Sequence, residues 1–320
     1  MTGPGRRTSR EGAAGDGAEG TGAGPPVGAV EAGGTKFVCA VGTGPDDVRD
    51  VTRFPTTGPE ETLDRTLDFL RRHVRDGALA AVGIGSFGPV DVDPDSPTWG
   101  HVTSTPKEGW SDTEFAPRVR RELGVPVGFD TDVNAAALGE GRWGAARGLD
   151  TFAYVTVGTG IGGGGMVEGR LLHGLLHPEM GHIRIPREAD DDFPGICPFH
   201  GDCLEGLATG PALEARWGRP AAELPDDHPA WELEARHLAH GLVNLTLVLS
   251  PERIVVGGGV MKRRSLYPAV RREMTDLLAG YLRAPEVLEG MDRYVVPPGL
   301  GDRAGVLGAM ALGKRAARRG

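Results

Sequence analysis

At 320 residues the chain is long enough for two domains of about 150 residues each, with a sizeable core. Its 35 Lys and Arg against 44 Asp and Glu give a formal net charge of −9, which argues against a protein that works by attraction to nucleic-acid phosphates. No apolar run approaches the roughly 18 residues of a membrane span, and no apolar stretch follows the charged start to make a secretory signal. Three cysteines are too few, and odd in number, for a disulfide framework and fit a reducing cytoplasm.

Residues 1–27 hold eight Gly and three Pro, with Met1 and Val27 the only bulky apolar side chains, so a disordered tail is expected, with folded structure from Gly28. Short apolar, β-branched runs predict strands at Gly28–Ala32 and Phe37–Val41. Glu60–Arg75 sets Leu63, Leu67 and Leu70 on one stripe of a helix. Further strands are expected at Leu79–Gly85, Val125–Asp130 and Thr151–Val157, and an alanine-rich helix follows Asp132. Trp231–Leu249 reads as a long buried helix and Arg253–Val256 as a strand. Helices Ser265–Leu282 and Arg303–Arg318 close the chain, the last ending in basic residues suited to a helix C-terminus. Strands alternating with helices predict an α/β fold rather than a β-sandwich. A strand, a glycine turn and a second strand occur at Val30–Val41 and again at Tyr154–Val167. That echo points to two similar halves, or else to two unrelated hairpins.

Three glycine clusters lie at strand ends. In Glu31-Ala-Gly33-Gly34-Thr35-Lys36 the glycines let backbone N–H groups approach an anion, with a hydroxyl and a positive charge beside them. The spacing is not that of a P-loop, and an ordinary tight hairpin is the competing reading. In the second cluster Gly158, Gly160 and Gly163 fit G-x-G-x-x-G around Thr159. A dinucleotide fingerprint needs a helix to open at the third glycine, whereas Gly164-Gly165-Met166-Val167 follows, so that reading fails and a phosphate-contacting hairpin is left. Gly257-Gly258-Gly259-Val260 follows a strand directly, where a planar ligand could lie against the backbone or a flexible turn could simply lead to a helix.

Asp130-Thr131-Asp132-Val133-Asn134 joins a strand to the alanine-rich helix. A carboxylate there can act as general base for a hydroxyl, or can be a plain N-cap. Cys197, His200 and Cys203 form Cys-x₂-His-x₂-Cys, and His182 can supply a fourth ligand to a closed tetrahedral zinc site. The competing reading is two reduced cysteines near surface histidines. Cys39 reads as a small core residue, and His73, His101, His228, His237 and His240 as surface or packing residues.

Taken in order, Glu-Ala-Gly-Gly-Thr-Lys, Asp-Thr-Asp-Val-Asn-Ala-Ala, Gly-Thr-Gly-Ile-Gly-Gly, Glu-Met-Gly-His, Cys-x₂-His-x₂-Cys-Leu-Glu and Gly-Gly-Gly-Val resemble the ROK family of sugar kinases, from Gly28 to the C-terminus. The resemblance implies an actin-like, ribonuclease-H-like α/β fold of two domains around a cleft, in a homodimer. Applied here it implies a small domain of residues 28–131 plus 305–320 and a large one of 132–304 bearing the zinc loop. It places Gly33, Gly34, Thr35, Lys36, Gly158, Thr159 and Gly160 at the ATP phosphates, and Gly257, Gly258, Gly259 and Val260 by the adenosine. It makes Asp132 the base, and Glu179, His182 and Glu205 the sugar ligands. His182, Cys197, His200 and Cys203 then hold a structural Zn²⁺, with Mg²⁺ accompanying ATP. Three departures from the family's glucokinases resemble its fructokinase branch: the Cys-x₂-His-x₂-Cys run, the loop Thr105-Pro106-Lys107 that contacts sugar, and Glu31 in place of Asp. The implied activity is phosphorylation of fructose by ATP. Other hexoses remain as alternatives, and so, more remotely, does a sugar-responsive repressor, whose extra DNA-binding domain has no counterpart in residues 1–27. No nucleic-acid or membrane partner is expected.

Overall fold

The computed structural model describes residues 24–75, 79–188 and 191–319. Up to residue 23 the expected tail lies outside the described residues. Val27, assigned to that tail, instead opens the first strand and is buried.

The first half begins with a meander of β1 (Val27–Ala32), β2 (Lys36–Gly44) and β3 (Asp47–Pro55). Then come α1 (Pro59–Arg75), β4 (Val82–Ser86), the short pair β5 (His101–Val102) and β6 (Thr113–Glu114), α2 (Ala116–Leu123), β7 (Val127–Thr131) and α3 (Asp132–Trp143). The second half repeats the opening with β8 (Phe152–Val157), β9 (Ile161–Val167) and β10 (Arg170–Leu171). It continues through α4 (Leu204–Ala208), α5 (Gly210–Trp217), α6 (Ala230–Leu249), β11 (Arg253–Gly257) and α7 (Leu266–Leu278). The chain closes with α8 (Pro285–Leu288), α9 (Met291–Tyr294), β12 (Val295–Val296) and α10 (Ala304–Ala317).

Two five-stranded sheets result, ordered β3-β2-β1-β4-β7 and β10-β9-β8-β11-β12. In each, three antiparallel strands are followed by two parallel ones. The echo between the two glycine hairpins is therefore a duplicated topology. It puts each hairpin at the carboxyl end of its sheet's first strand, where open α/β sheets bind ligands.

Helices α3 and α10 lie together between the sheets. α10 packs on β1, β4 and β7, and α3 packs on β8 and β9. Their small residues make this possible: a Cβ on Gly308 would come within 1.7 Å of the Ala135 carbonyl oxygen. On the far face of the first sheet Phe37, Trp110 and Phe115 are fully buried, the Phe37 ring against both others, each contributing roughly 2–3 kcal/mol by burial.

Several boundaries differ from expectation. The strand expected from Leu79 begins at Val82, and the helix expected to reach Leu282 stops at Leu278, where Ala279 turns left-handed at φ +49°. The long helix α6 is buried along most of its length, but Leu247 and Val248 near its end are exposed. Cys39 is a fully buried core residue, as expected. Among the described residues no helix is long and apolar enough to cross a membrane.

Candidate active site

The base position shows first how local geometry separates roles. Thr131, neither aspartate, caps α3: its side chain accepts the Asn134 N–H at 3.1 Å. Asp130 is buried, taking the Thr131 N–H and the Asn134 amide on Oδ1 and His173 Nε2 on Oδ2, at 2.8, 2.9 and 2.8 Å. Asp132 is thereby relieved of capping. Its Oδ1 accepts the Val133 N–H at 2.8 Å. Burial pushes this carboxyl up from 3.8 to about 7; the Val133 N–H opposes the rise and the charges of Glu31 and Glu179 add to it.

Glu31 lies next to the end of β1 at the first glycine turn, Glu179 precedes the short turn Met180–His182, and the charges of both act on Asp132. The first turn is a hairpin. Gly33 N–H bonds the Lys36 carbonyl at 3.0 Å, and Thr56 holds the Gly33 and Thr35 carbonyls at 2.7 and 3.0 Å. Gly34, Thr35 and Lys36 are exposed, and a Cβ on Gly34 would meet open space. Glu31 is raised by burial, against the pull of Lys36, while it accepts the Val306 N–H at the start of α10. Its extra methylene relative to Asp gives it that reach.

The second turn is closed by Gly158 N–H on the Gly160 carbonyl at 2.9 Å, with Thr159 exposed at its tip. Strand β9 follows it rather than a helix, in accord with the rejected dinucleotide reading. Glu205 on α4 clasps this turn, its Oε2 taking the Ile161 N–H at 3.0 Å, and its Oε1 lies 3.9 Å from His182 Nε2. At the third cluster Gly258 has φ +96°, and a Cβ there would fall 2.3 Å from the Val157 carbonyl oxygen, so only glycine allows the end of β11 to lie against β8. Gly259 faces open space and Val260 is buried. Glu31, Lys36, Thr156 and Gly257–Gly259 line one cleft of about 330 Å³, which joins the first and third clusters.

His182 Nδ1, Cys197 Sγ, His200 Nδ1 and Cys203 Sγ all lie within 4.8 Å of one another. Cys203 Sγ lies 3.5 Å from His182 Nδ1, and Cys197 Sγ lies 3.6 Å from His200 Nδ1 and 3.7 Å from His182 Nδ1. A tetrahedral ion bound at about 2.3 Å to sulfur and about 2.05 Å to nitrogen sets such edges at about 3.6 Å, so the donor set fits zinc. Burial, with the Cys197 thiol beside it, pushes Cys203 up to about 11, a penalty that a divalent cation removes. His182 thus turns Nδ1 to the donor cluster and Nε2 to Glu205. Thr105 is half-buried, and its hydroxyl accepts Lys107 N–H from its own loop at 3.3 Å.

A model of the ROK family matches residues 27–316. The chain belongs to the ROK family. A fructokinase of Zymomonas mobilis subsp. mobilis is 45% identical over 290 residues, spanning 89% of this chain and 95% of its own. A fructokinase of Pediococcus pentosaceus is 41% identical over 290 residues, spanning 91% and 98%. The ROK hexokinase of Thermus thermophilus has a TM-score of 0.73 at 28% identity, covering 92% of this chain and all of that one. The fold is thus the actin-like α/β fold of ROK sugar kinases.

Other parts of this ROK site escaped the sequence reading. A larger groove, about 1140 Å³, runs along the edge strand β7 past Trp99, Arg120 and Arg315. It shares Asp130 with the site but contains neither Asp132 nor a glycine turn. Glu140, fully buried at the end of α3, accepts the N–H groups of Ala145, Gly299 and Leu300 at 2.6, 2.9 and 2.9 Å, fixing the approach to α10. Lys262 and Asp302 pair at 3.1 Å at the cleft lining. No spacing signals Glu140 with Gly299 and Leu300, or Lys262 with Asp302, because these join residues distant in sequence.

Proposed function

We propose that this protein is an ATP-dependent fructokinase that forms fructose 6-phosphate. The observation that carries the reading is identity of 41–45% with proteins named fructokinase, over about nine-tenths of each chain. The site supports it. Asp132 accepts the proton of the sugar 6-hydroxyl as that oxygen attacks the γ-phosphate, and a carboxyl near 7 suits a general base at neutral pH. Glu179, His182, Glu205 and Thr105 hold the sugar hydroxyls. Gly33 and Gly158 close the two turns with their own N–H groups, which leaves Gly34, Thr35, Lys36, Thr159 and Gly160 to position the phosphates, with Gly257–Val260 beside the adenosine.

Glu31, a carboxylate in the cleft beside Lys36 and the first glycine turn, would hold a hydrated Mg²⁺ ion that accompanies ATP. When bound it supplies neutralisation of charge on the transferring phosphoryl group. His182, Cys197, His200 and Cys203 would hold a structural Zn²⁺ that pins the 182–203 loop and does no chemistry. The two halves are read as lobes of residues 28–131 plus 305–320 and 132–304, closing on the substrates. The enzyme is taken to be a cytoplasmic homodimer whose partners are sugar and ATP, without nucleic acid; sizing at working concentration tests the dimer.

The deciding experiment is ADP release with Mg-ATP on fructose, glucose and mannose. A kcat/KM for fructose at least tenfold above the others supports the reading. Preference for glucose or mannose makes this a ROK kinase for another hexose.

A further inference from the structure

We propose that His177 is a positioning residue for the sugar: its buried imidazole, protonated on Nδ1 alone, orients the Glu179 carboxylate. The inference rests on the kinase reading above, in which Glu179 binds a sugar hydroxyl.

His177 lies in the loop between β10 and the Met180–His182 turn, with 5% of its side chain exposed. Its Nε2 accepts the Val90 backbone N–H at 3.1 Å, a residue 87 positions earlier and in the other half of the molecule. A ring nitrogen that accepts from an amide carries no proton, so the neutral ring bears its hydrogen on Nδ1. Nδ1 faces Glu179 Oε1 at 3.5 Å and the Pro178 carbonyl at 3.4 Å. Both contacts are long for hydrogen bonds, as polar contacts in unliganded sites often are before substrate tightens them. Gly88 also lies against the ring, where a Cβ would stand 3.3 Å from Cε1 and 3.4 Å from Nε2.

The ring therefore has little freedom, while half of the Glu179 side chain is exposed. Phe87, just before this segment, bonds through its N–H to the Ala32 carbonyl at 2.7 Å, next to the first glycine turn. One imidazole thus references the sugar-side carboxylate to the phosphate-side hairpin. A fixed Nδ1–H donor selects one Glu179 orientation and cuts the ordering cost of sugar binding.

Two substitutions separate the nitrogens. His177→Asn keeps an N–H donor near the Nδ1 position and loses the acceptor for Val90. His177→Gln keeps an acceptor near Nε2 and loses the donor. His177→Gln should raise the KM for fructose about tenfold, the worth of one hydrogen bond to a charged group, with the KM for ATP unchanged. His177→Asn should stay within about threefold of wild type. The reverse order would mean that the ring only braces Val90, and would overturn the proposal. Glu179→Gln serves as control: if it leaves the KM for fructose unchanged, the sugar-ligand reading of Glu179 fails, and this inference with it. A second measurement needs no His177 variant. In ¹⁵N-histidine spectra, fructose should shift the protonated Nδ1 resonance of His177 in the wild type and not in Glu179→Gln. An equal shift in both proteins would refute the contact.

Discussion

Replacing Asp132 by Asn should make the unliganded protein more stable at alkaline pH while removing its activity. Folding raises this carboxyl from 3.8 to about 7, so the folded chain binds the proton more tightly than the unfolded one. Stability therefore falls as pH climbs from about 4 to about 7, and the loss is complete above 7. At about 1.4 kcal/mol per pH unit, that rise bounds the effect at about 4 kcal/mol. The Asp132 residue is half-buried, and solvent screening reduces the expected gain to about 2 kcal/mol. Asn is nearly isosteric and carries no charge at any pH. In thermal unfolding without nucleotide or Mg²⁺, Asp132→Asn should melt about 4 °C above wild type at pH 8 and level with it at pH 4. Its kcat should fall by about 10²–10⁴, the usual worth of a general base. In the wild type, kcat/KM should drop as pH falls through about 7, and the limb should move lower in Glu179→Gln because one repelling charge has gone. An Asn variant no more stable than wild type at pH 8, or equally stabilised at pH 4 and 8, would refute this reasoning.

Other substitutions test the surrounding frame. Gly258→Ala forces a Cβ onto the Val157 backbone at φ +96° and should cost about 3 kcal/mol in urea unfolding; Gly259→Ala, with open space around it, should leave stability within about 0.5 kcal/mol and raise the KM for ATP about tenfold. Glu140→Ala strands three N–H groups and should destabilise by at least about 3 kcal/mol; a loss under about 1 kcal/mol would show that water replaces the carboxylate freely. Cys203→Ser should remove about one equivalent of zinc by metal analysis and lower Tm by about 5 °C or more, while raising the KM for fructose more than that for ATP.

Much of this site was legible because its residues act through local geometry. Glycine turns at strand ends, a polar cap before an alanine helix and ligands three residues apart all leave a mark in sequence. The duplicated hairpin was visible for the same reason. What escaped depends on long-range placement. Strand β3 alternates Arg and Asp with Val and Phe at the sheet's exposed edge, so apolar runs did not reveal it. The competition between base and cap at Asp132 could not be resolved by composition; it took the fold to show Thr131 capping and Asp130 turned to His173. His177 carries no periodic signal, since its partner Val90 arrives from another element altogether. His237, expected as a surface or packing residue, is a packing one: it is buried, and desolvation first, then the Arg216 charge, lower it to about 4.

Product analysis by ³¹P NMR, comparing wild type with Asp132→Ala at saturating fructose and Mg-ATP, addresses the central claim most directly. The account predicts fructose 6-phosphate from the wild type. It predicts at least about a hundredfold slower turnover from the variant, which should still bind fructose in calorimetry. Near-normal turnover by Asp132→Ala, or a wild-type product phosphorylated at another hydroxyl, would contradict it.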